Sequence, residues 1–196
     1  MPFYQLQKKK KYVKIYITKP VFIGDYGKGG YMCKVGQTVV YGLGGVMEIV
    51  ALREVEIGDT VRSYYVLREI GSLTSSETLV PVDNKELTSQ MRPLLSREEL
   101  IAAIRMARTI PDDEWISDNR ARAEHFKRVI LSGDRVALML MIRSVVNAGR
   151  RRADEGKKNF LSDESAMKRA EKLLYSEISV VMDIDISDVP AFIESV

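Results

Sequence analysis

The chain has 196 residues, enough for one large domain or two small ones, and its 45% hydrophobic and 29% charged residues are typical of a globular protein rather than a disordered one. One cysteine, Cys33, excludes an internal disulfide framework, and with one histidine, His125, a clustered Cys/His metal site is not expected. The formal charge is only +3, so attraction to nucleic acid would have to come from local clusters of Lys and Arg. Because no apolar run nears the roughly 20 residues that cross a bilayer, we expect a soluble, cytoplasmic protein.

Residues 1–31 differ in composition from the rest of the chain. They contain a lysine run, Lys8–Lys11, followed by an alternating, strand-like stretch, Tyr12–Ile17, and a glycine-rich segment. We therefore expect an N-terminal extension, with two interpretations open. In one, Met32 is the biological start, because Lys28–Met32 is what a purine-rich ribosome-binding site would encode if read in frame. In the other, the segment is a real strand or basic arm, and peptides from it in the native protein would decide.

Residues 32–90 have the pattern of a β-domain, in which short β-branched and aromatic runs alternate with turn residues. Gly42, Gly44 and Gly45 allow left-handed backbone angles between the first two runs, and Gly58–Asp59 supplies the next turn. This spacing predicts a small, strongly bent antiparallel barrel, although periodicity leaves a meander open. The predicted strands are Val35–Tyr41, Val46–Val55, Val61–Arg68 and Thr78–Val82.

Residues 91–196 switch to helical periodicity and predict an all-α bundle, so the chain as a whole is predicted to be α+β. A capping box formed by Ser96 and Glu99 begins the first helix, which should end before Pro111. The third helix is apolar nearly all round and should be central. The later predicted helices are Asp118–Leu131, Arg135 to about Ala148, one that begins at Ser162, and a short one over Ser187–Ser195 with Pro190 in its first turn.

Catalytic motifs are missing from the sequence. It contains neither a Gly-rich phosphate loop nor a nucleophile elbow, and His125 has charged and aromatic helical neighbours rather than a nucleophile motif. Adjacent acids such as Glu98 and Glu99 are more often capping or solvated groups than an acid/base pair. We therefore expect a protein that is not an enzyme and has no catalytic residue, metal or cofactor.

Basic residues are concentrated in the predicted helices. Arg120 and Lys127 share the polar face of the second helix, opposite an apolar face. Arg150–Arg152 and Lys157–Lys158 flank the predicted end of the central helix, where they either contact phosphates or stabilise the helix end on an ordinary solvated surface. The predicted apolar face of the second helix consists of Ala123, Phe126, Val129 and Ile130.

Trp115 is the one tryptophan and precedes the Arg120 helix in a polar loop. A large apolar ring beside basic side chains can enter a minor groove while the cations hold phosphates. Alternatively, it packs over the junction between the β part and the helices. The residues alone leave both interpretations open.

Several short motifs occur in a characteristic order along the chain. In the β half they are Lys34–Tyr41, Tyr64–Arg68, Val80–Asn84 and Met91–Ser96. In the helical half they are Trp115 with Arg120, Leu131–Asp134, Leu161–Ser162 and Leu173–Glu177. Together, from Cys33 to about Ile193, they resemble the CarD/CdnL family of bacterial transcription regulators and the related polymerase-interacting domain of the transcription-repair coupling factor.

The resemblance implies a Tudor-like, SH3-like β-domain that adds by edge-strand pairing to a strand on the β-subunit lobe of RNA polymerase. The positions that match this contact are Val55, Ile57 and Leu79. Some family members carry arginines where this chain has Val55 and Leu79, so either other arginines supply the charge or the lobe of the matching polymerase differs. The candidate arginines are Arg53, Arg62 and Arg68.

The resemblance also implies that the helical domain lies at the upstream edge of the transcription bubble. Trp115 matches a tryptophan that inserts at the minor groove, and Arg120 matches a basic residue beside it. A wedge that fits only open DNA stabilises the open complex without chemistry. We expect weak sequence specificity and a monomer that reaches the nucleoid through polymerase. The expected DNA-binding residues are Trp115, Arg120, Lys127, Arg150 and Arg151.

Two other functions remain open at this point. One is a protein-interaction adaptor whose helices serve as a scaffold, which predicts no salt-dependent affinity for DNA. The other is a general nucleic-acid binder that uses its basic clusters independently of polymerase.

Overall fold

The structure is a computed structural model that describes residues 33–56, 60–71 and 76–196, and the backbone alone of Val13–Ile17 and Ile57. The predicted lysine run, the predicted start at Met32 and the predicted turn at Gly58–Asp59 lie outside the described residues.

The strands form one sheet and are followed by helices, so the fold is α+β, as the sequence predicts. The strand order of the sheet is β5-β4-β3-β2-β6, and β1 pairs with β3 beside this path. The described path ends at β5 on one side and β6 on the other, so the sheet is open and the predicted closed barrel is wrong. Closure would require the end strands to pair. The strands are β1 (Val13–Ile17), β2 (Thr38–Tyr41), β3 (Gly45–Ile57), β4 (Thr60–Glu69), β5 (Glu77–Pro81) and β6 (Met91–Arg92).

The four predicted strands are confirmed as β2 to β5 with shifted ends, and two short elements escaped prediction. One is β6, which has two residues and pairs antiparallel with β2. The other is the single-turn helix α1 (Lys85–Thr88), in which the Asn84 side chain accepts a hydrogen bond from the Leu87 N–H at 3.1 Å. Both are too short to produce a periodic pattern.

The described residues divide into two compact units. The first holds those up to Gln37 and those of Glu48–Ser89, and the second holds Thr38–Met47 and Gln90–Val196. The hairpin of β2 and the start of β3 thus belongs with the helices, although the predicted division at residue 90 placed it with the other strands. Whether residues 32–90 and 91–196 are separate domains stays a prediction.

In the first unit, the core lies along the sheet. Tyr65, Val66 and Leu67 are consecutive buried residues of β4, so this strand is covered on both faces. Ile49 of β3 and Val80 of β5 are fully buried as well.

In the second unit, the third predicted helix contacts three of the other helices. This helix, α4, packs against α2, α3 and α5 and buries apolar residues on several sides. It continues to Asp154 rather than ending near Ala148, so Arg150–Arg152 lie inside it. The helices are α2 (Arg97–Thr109), α3 (Asn119–Ser132), α4 (Arg135–Asp154), α5 (Leu161–Met182) and α6 (Val189–Ser195), the last preceded by a 3-10 turn over Ile186–Asp188.

Local signals set the helix ends. The predicted capping box is confirmed, because Ser96 Oγ accepts from the Glu99 N–H and Glu99 Oε2 accepts from the Ser96 N–H. Between α3 and α4, Gly133 has a φ of 60°, and the Arg92 guanidinium occupies the space where a Cβ would lie. Asp134 then caps α4. No helix of the described residues is long and apolar enough to cross a membrane.

The β2–β3 hairpin is bound to α5 within the second unit. The Val46 N–H donates to Ser176 Oγ at 3.3 Å. Gly45, with a φ of 87°, sits so close to the same hydroxyl that an added Cβ would lie 2.8 Å from it. Glycine is therefore required here both by the backbone angle and by the close approach of the helix.

Candidate functional site

Trp115 lies half-buried in the irregular loop between α2 and α3. Its ring meets Phe126 edge to face, with centroids 6.3 Å apart and planes at 61°, and it packs against the core formed by α3, α4 and α5. On another side, the Arg122 guanidinium lies over the indole, with Cζ 4.6 Å from the ring centroid. The indole is therefore anchored by its neighbours and still partly open to solvent.

Arg122 is buried, with a relative exposure of 1%, and corrects the predicted face of α3. The buried stripe consists of Arg122, Phe126 and Ile130, whereas Ala123 is exposed. Asp163 in the first turn of α5 supplies the counter-charge at 2.9 Å. A buried charge requires such a partner, since desolvation without one is costly.

The contact between Trp115 and Arg122 continues into a series in which aromatic rings alternate with guanidinium groups. We call this series the aromatic–guanidinium stack, and it consists of Trp115, Arg122, Phe160 and Arg152. The Cζ of Arg122 lies 5.0 Å from the Phe160 ring centroid, and the Cζ of Arg152 lies 4.1 Å from it. Because Arg152 belongs to the last turn of α4, the stack places this turn near the Trp115 loop.

The predicted DNA-binding cations are all exposed. Arg120 and Lys127 lie two turns apart on α3, so they share one face of that helix. Arg150 and Arg151 lie in α4 next to Arg152, which the stack links to the Trp115 loop. The structure thus brings Trp115, the start of α3 and Arg152 of α4 to one region of the second unit, whereas Arg150 lines a cavity with Arg108 of α2 and Ile193 of α6.

The predicted polymerase-binding residues lie on the sheet of the first unit. Leu79, on β5, is 42% exposed, whereas Val55 is 7% exposed and its side chain is part of the core. Arg53 of β3 forms an ion pair with Glu77 of β5, with 2.9 Å between Nη2 and Oε2. Glu77 and Leu79 are alternate residues of one strand and so share a face, which places Arg53 and Leu79 on the same side of the sheet. The side chain of Ile57 lies outside the described residues.

Glu77 accepts hydrogen bonds from two arginines. The hydrogen bond from Arg53 lowers the pKa of Glu77 below its usual value, and Arg68, at 3.3 Å, adds to the shift. The ion-pair stabilisation is therefore present at neutral pH and is lost as the pH falls through the lowered pKa. Arg53 is only 19% exposed, but 49% of the Arg68 side chain is exposed, so Arg68 offers a partner the more accessible positive charge.

The backbone of β3 at the predicted contact is engaged by β1. The two strands pair antiparallel in a register that sets Val13 opposite Ile57, Ile15 opposite Val55 and Ile17 opposite Arg53. The stretch that the sequence marks as strand-like is thus a strand, and it occupies the segment Arg53–Ile57 at which edge pairing with polymerase was expected.

The family model of the CarD-like/TRCF RID domain matches residues 33–95. This part of the chain is therefore similar to a CarD-like/TRCF RID domain. The resemblance drawn from the sequence motifs is confirmed at the level of this domain, and RID domains are RNA polymerase-interacting domains. A search of curated proteins found no match to the chain.

The matched residues 33–95 include all of the predicted polymerase-binding residues and none of the predicted DNA-binding ones. The match begins at Cys33, after β1, and ends at Leu95, before α2. The DNA-binding assignments of Trp115 and the basic helices therefore remain predictions.

Sequence reasoning missed Arg122, Phe160 and Arg152 as members of the Trp115 environment. Arg122 precedes Phe126 by four residues and Ile130 by eight, which places it on the apolar stripe of α3. That spacing was the available signal for a buried arginine, and it was overlooked because charged residues are rarely buried.

Proposed function

We propose that this chain is a transcription regulator without enzymatic activity, which binds the β-subunit lobe of RNA polymerase through its RID domain and contacts promoter DNA with the region around Trp115. The match of the RID domain to residues 33–95 carries this proposal, because RID domains interact with RNA polymerase. The protein would act as a monomer on the nucleoid, without a metal or cofactor. It would favour the open complex by binding open promoter DNA more tightly than closed duplex.

The polymerase contact uses the sheet of the RID domain. A strand of the polymerase lobe adds to β3 along Arg53–Ile57 and takes the place of β1, so that main-chain hydrogen bonds provide the affinity. Leu79 and Arg68 supply selectivity, since Leu79 is an exposed apolar side chain and Arg68 presents an accessible charge. Val55 contributes through its backbone, because its side chain is buried.

Leu79→Glu tests the polymerase contact. Losing the burial of one leucine side chain should weaken binding of an isolated β-subunit lobe about tenfold or more, since such burial is worth roughly 1.5–3 kcal/mol. Titration calorimetry with the full-length chain measures this. Leu131→Glu is the matched control, because Leu131 is 61% exposed on α3 and lies outside the RID domain. This variant should bind the lobe as tightly as the unaltered protein does. Equal affinities for both variants would contradict the contact.

In the proposed DNA contact, an apolar side chain separates base pairs and cations bind phosphates. Trp115 is half-exposed and anchored on Phe126 and Arg122, as a side chain that separates base pairs must be. Phosphates are held by exposed cations of the second unit, which are Arg120, Lys127, Arg150 and Arg151.

Arg120→Ala and Trp115→Ala should separate these two roles. Loss of a phosphate contact should reduce the slope of log affinity against log salt concentration by about 0.9, whereas loss of the indole should leave the slope nearly unchanged. Filter binding to promoter DNA at several salt concentrations provides the slopes. With the cognate polymerase present, Trp115→Ala should shorten the lifetime of the open complex. Equal slope changes would refute the division, and absence of salt-dependent binding would favour a polymerase-binding adaptor.

A further inference from the structure

The loop that carries Trp115 is irregular, yet it is held at both ends. At its start, Arg143 of α4 donates to the carbonyl oxygens of Ala107 at 2.8 Å and Ile110 at 2.6 Å, and it forms an ion pair with Asp112. Asn147, one turn along α4, donates to the same carboxylate at 2.7 Å. The incoming half of the loop is therefore fixed to the central helix.

Arg122 fixes the outgoing half. Its Nη1 donates to the carbonyl oxygen of Ile116 at 2.8 Å, directly after Trp115, and its Nη2 donates to Asn119 Oδ1 at 2.8 Å. Its remaining donors face Asp163, with Nε 3.1 Å from Oδ2 and Nη2 2.9 Å from the same oxygen. These bonds run in several directions in the guanidinium plane, so they fix the orientation of that plane.

The fixed guanidinium contacts two aromatic rings. The Cζ of Arg122 lies 4.6 Å from the Trp115 ring centroid and 5.0 Å from the Phe160 ring centroid. On Phe160 the Cζ of Arg152 also lies close, 4.1 Å from the ring centroid. Cation–π attraction is strongest where the cation has lost its water, and Arg122 is 1% exposed. Phe160 and Arg152 are half-buried, so the outer half of the stack reaches the surface.

We propose that Arg122, Phe160 and Arg152 are positioning residues that hold the Trp115 indole in the orientation in which it meets separated base pairs. This inference rests on the proposed function. An indole that is already fixed loses little rotational freedom on binding, so more of its contact energy appears as affinity for open DNA. The stack contributes by pre-organisation and makes no contact with DNA through Arg122, which is enclosed.

Trp115 provides its own probe, because it is the one tryptophan in the chain and its fluorescence reports on no other residue. Phe160→Leu removes the ring that joins Arg122 to Arg152 while keeping apolar volume. We expect faster quenching of Trp115 by acrylamide and a roughly threefold to tenfold loss of preference for bubble-containing promoter DNA over duplex, with an unchanged salt slope. Phe160→Tyr keeps the ring and should restore both properties.

Arg152→Gln serves as a second variant should Phe160→Leu lower the helical circular dichroism signal. It leaves the buried Arg122–Asp163 pair in place and should raise quenching in the same direction. The inference is overturned if quenching and bubble preference are unchanged in both variants, or if Phe160→Tyr behaves like Phe160→Leu. Failure of the proposed function looks different, because Trp115→Ala would then leave bubble preference unchanged as well.

Discussion

Replacing Asp163 with alanine is expected to lower the free energy of unfolding by about 3–5 kcal/mol, since it removes the counter-charge of a buried arginine. Both side chains are enclosed, with 1% of the Arg122 side chain and 6% of the Asp163 side chain exposed. A guanidinium left without its carboxylate at such a site is desolvated and unpaired, which costs free energy. A domain is commonly stable by only 5–15 kcal/mol, so this single substitution removes a large share of its stability.

Urea titration followed by circular dichroism and by Trp115 fluorescence measures this loss. Glu155→Ala is the control, because Glu155 and Lys157 form an ion pair whose side chains are 57% and 60% exposed, and little change is expected there. The double replacement Arg122→Met with Asp163→Leu should recover much of the stability, because no unpaired charge then remains. If Asp163→Ala is as stable as the control, the buried pair is not what holds α3 to α5.

Glu177→Ala is expected to cost about 3 kcal/mol, because Glu177 is the acceptor for three donors within the second unit. Its exposure is 2%, and it accepts from the Leu95 N–H at 3.0 Å and from Arg135 Nη2 at 2.7 Å and Nε at 2.9 Å. It also balances Arg92, whose pKa is lowered by burial and by Arg135 but raised by Glu177. Removal leaves two guanidinium groups close together and one amide unpaired.

Hydrogen exchange distinguishes this loss from a general weakening, because the Leu95 amide should exchange faster in Glu177→Ala. Glu177→Gln keeps an oxygen for that amide and should lose less stability. Glu171→Ala, on the same helix, is the matched control. Burial raises the pKa of Glu171, so its carboxylate gains little in the folded state, and we expect a change below about 0.5 kcal/mol. Similar losses in both alanine variants would refute the role of Glu177.

Short-range signals predicted much of the secondary structure. The reciprocal bonds of Ser96 and Glu99 depend on residues three apart, and the turn at Gly133 and Asp134 depends on adjacent residues, so both could be inferred from sequence. The predicted end of α4 near Ala148 is six residues too early, because the apolar run stops before the helix does. The actual stop is marked by Gly156, whose φ is 70°, directly after the last helical residues.

The site was less predictable, because its contacts join distant residues. Asp163 follows Arg122 by 41 positions, and no local pattern indicates that the two charges will be buried together. Phe160 and Arg152 belong to a segment whose charges were interpreted as a cluster around a helix end. Trp115 could be singled out by its type, but its neighbours depend on how α3, α4 and α5 pack. The openness of the sheet likewise depends on which end strands meet, a long-range property.

Because β1 pairs with Arg53–Ile57, the proposed polymerase contact would be an equilibrium between an internal strand and an external one. An incoming strand can pair with β3 only while β1 is detached. The apparent dissociation constant for that strand is therefore the intrinsic dissociation constant divided by the fraction of time that β1 is detached. A chain with β1 detached one-tenth of the time would bind about tenfold more weakly than one with a bare edge. Under the proposed contact, substitutions that change how often β1 detaches would change the affinity for polymerase without touching it.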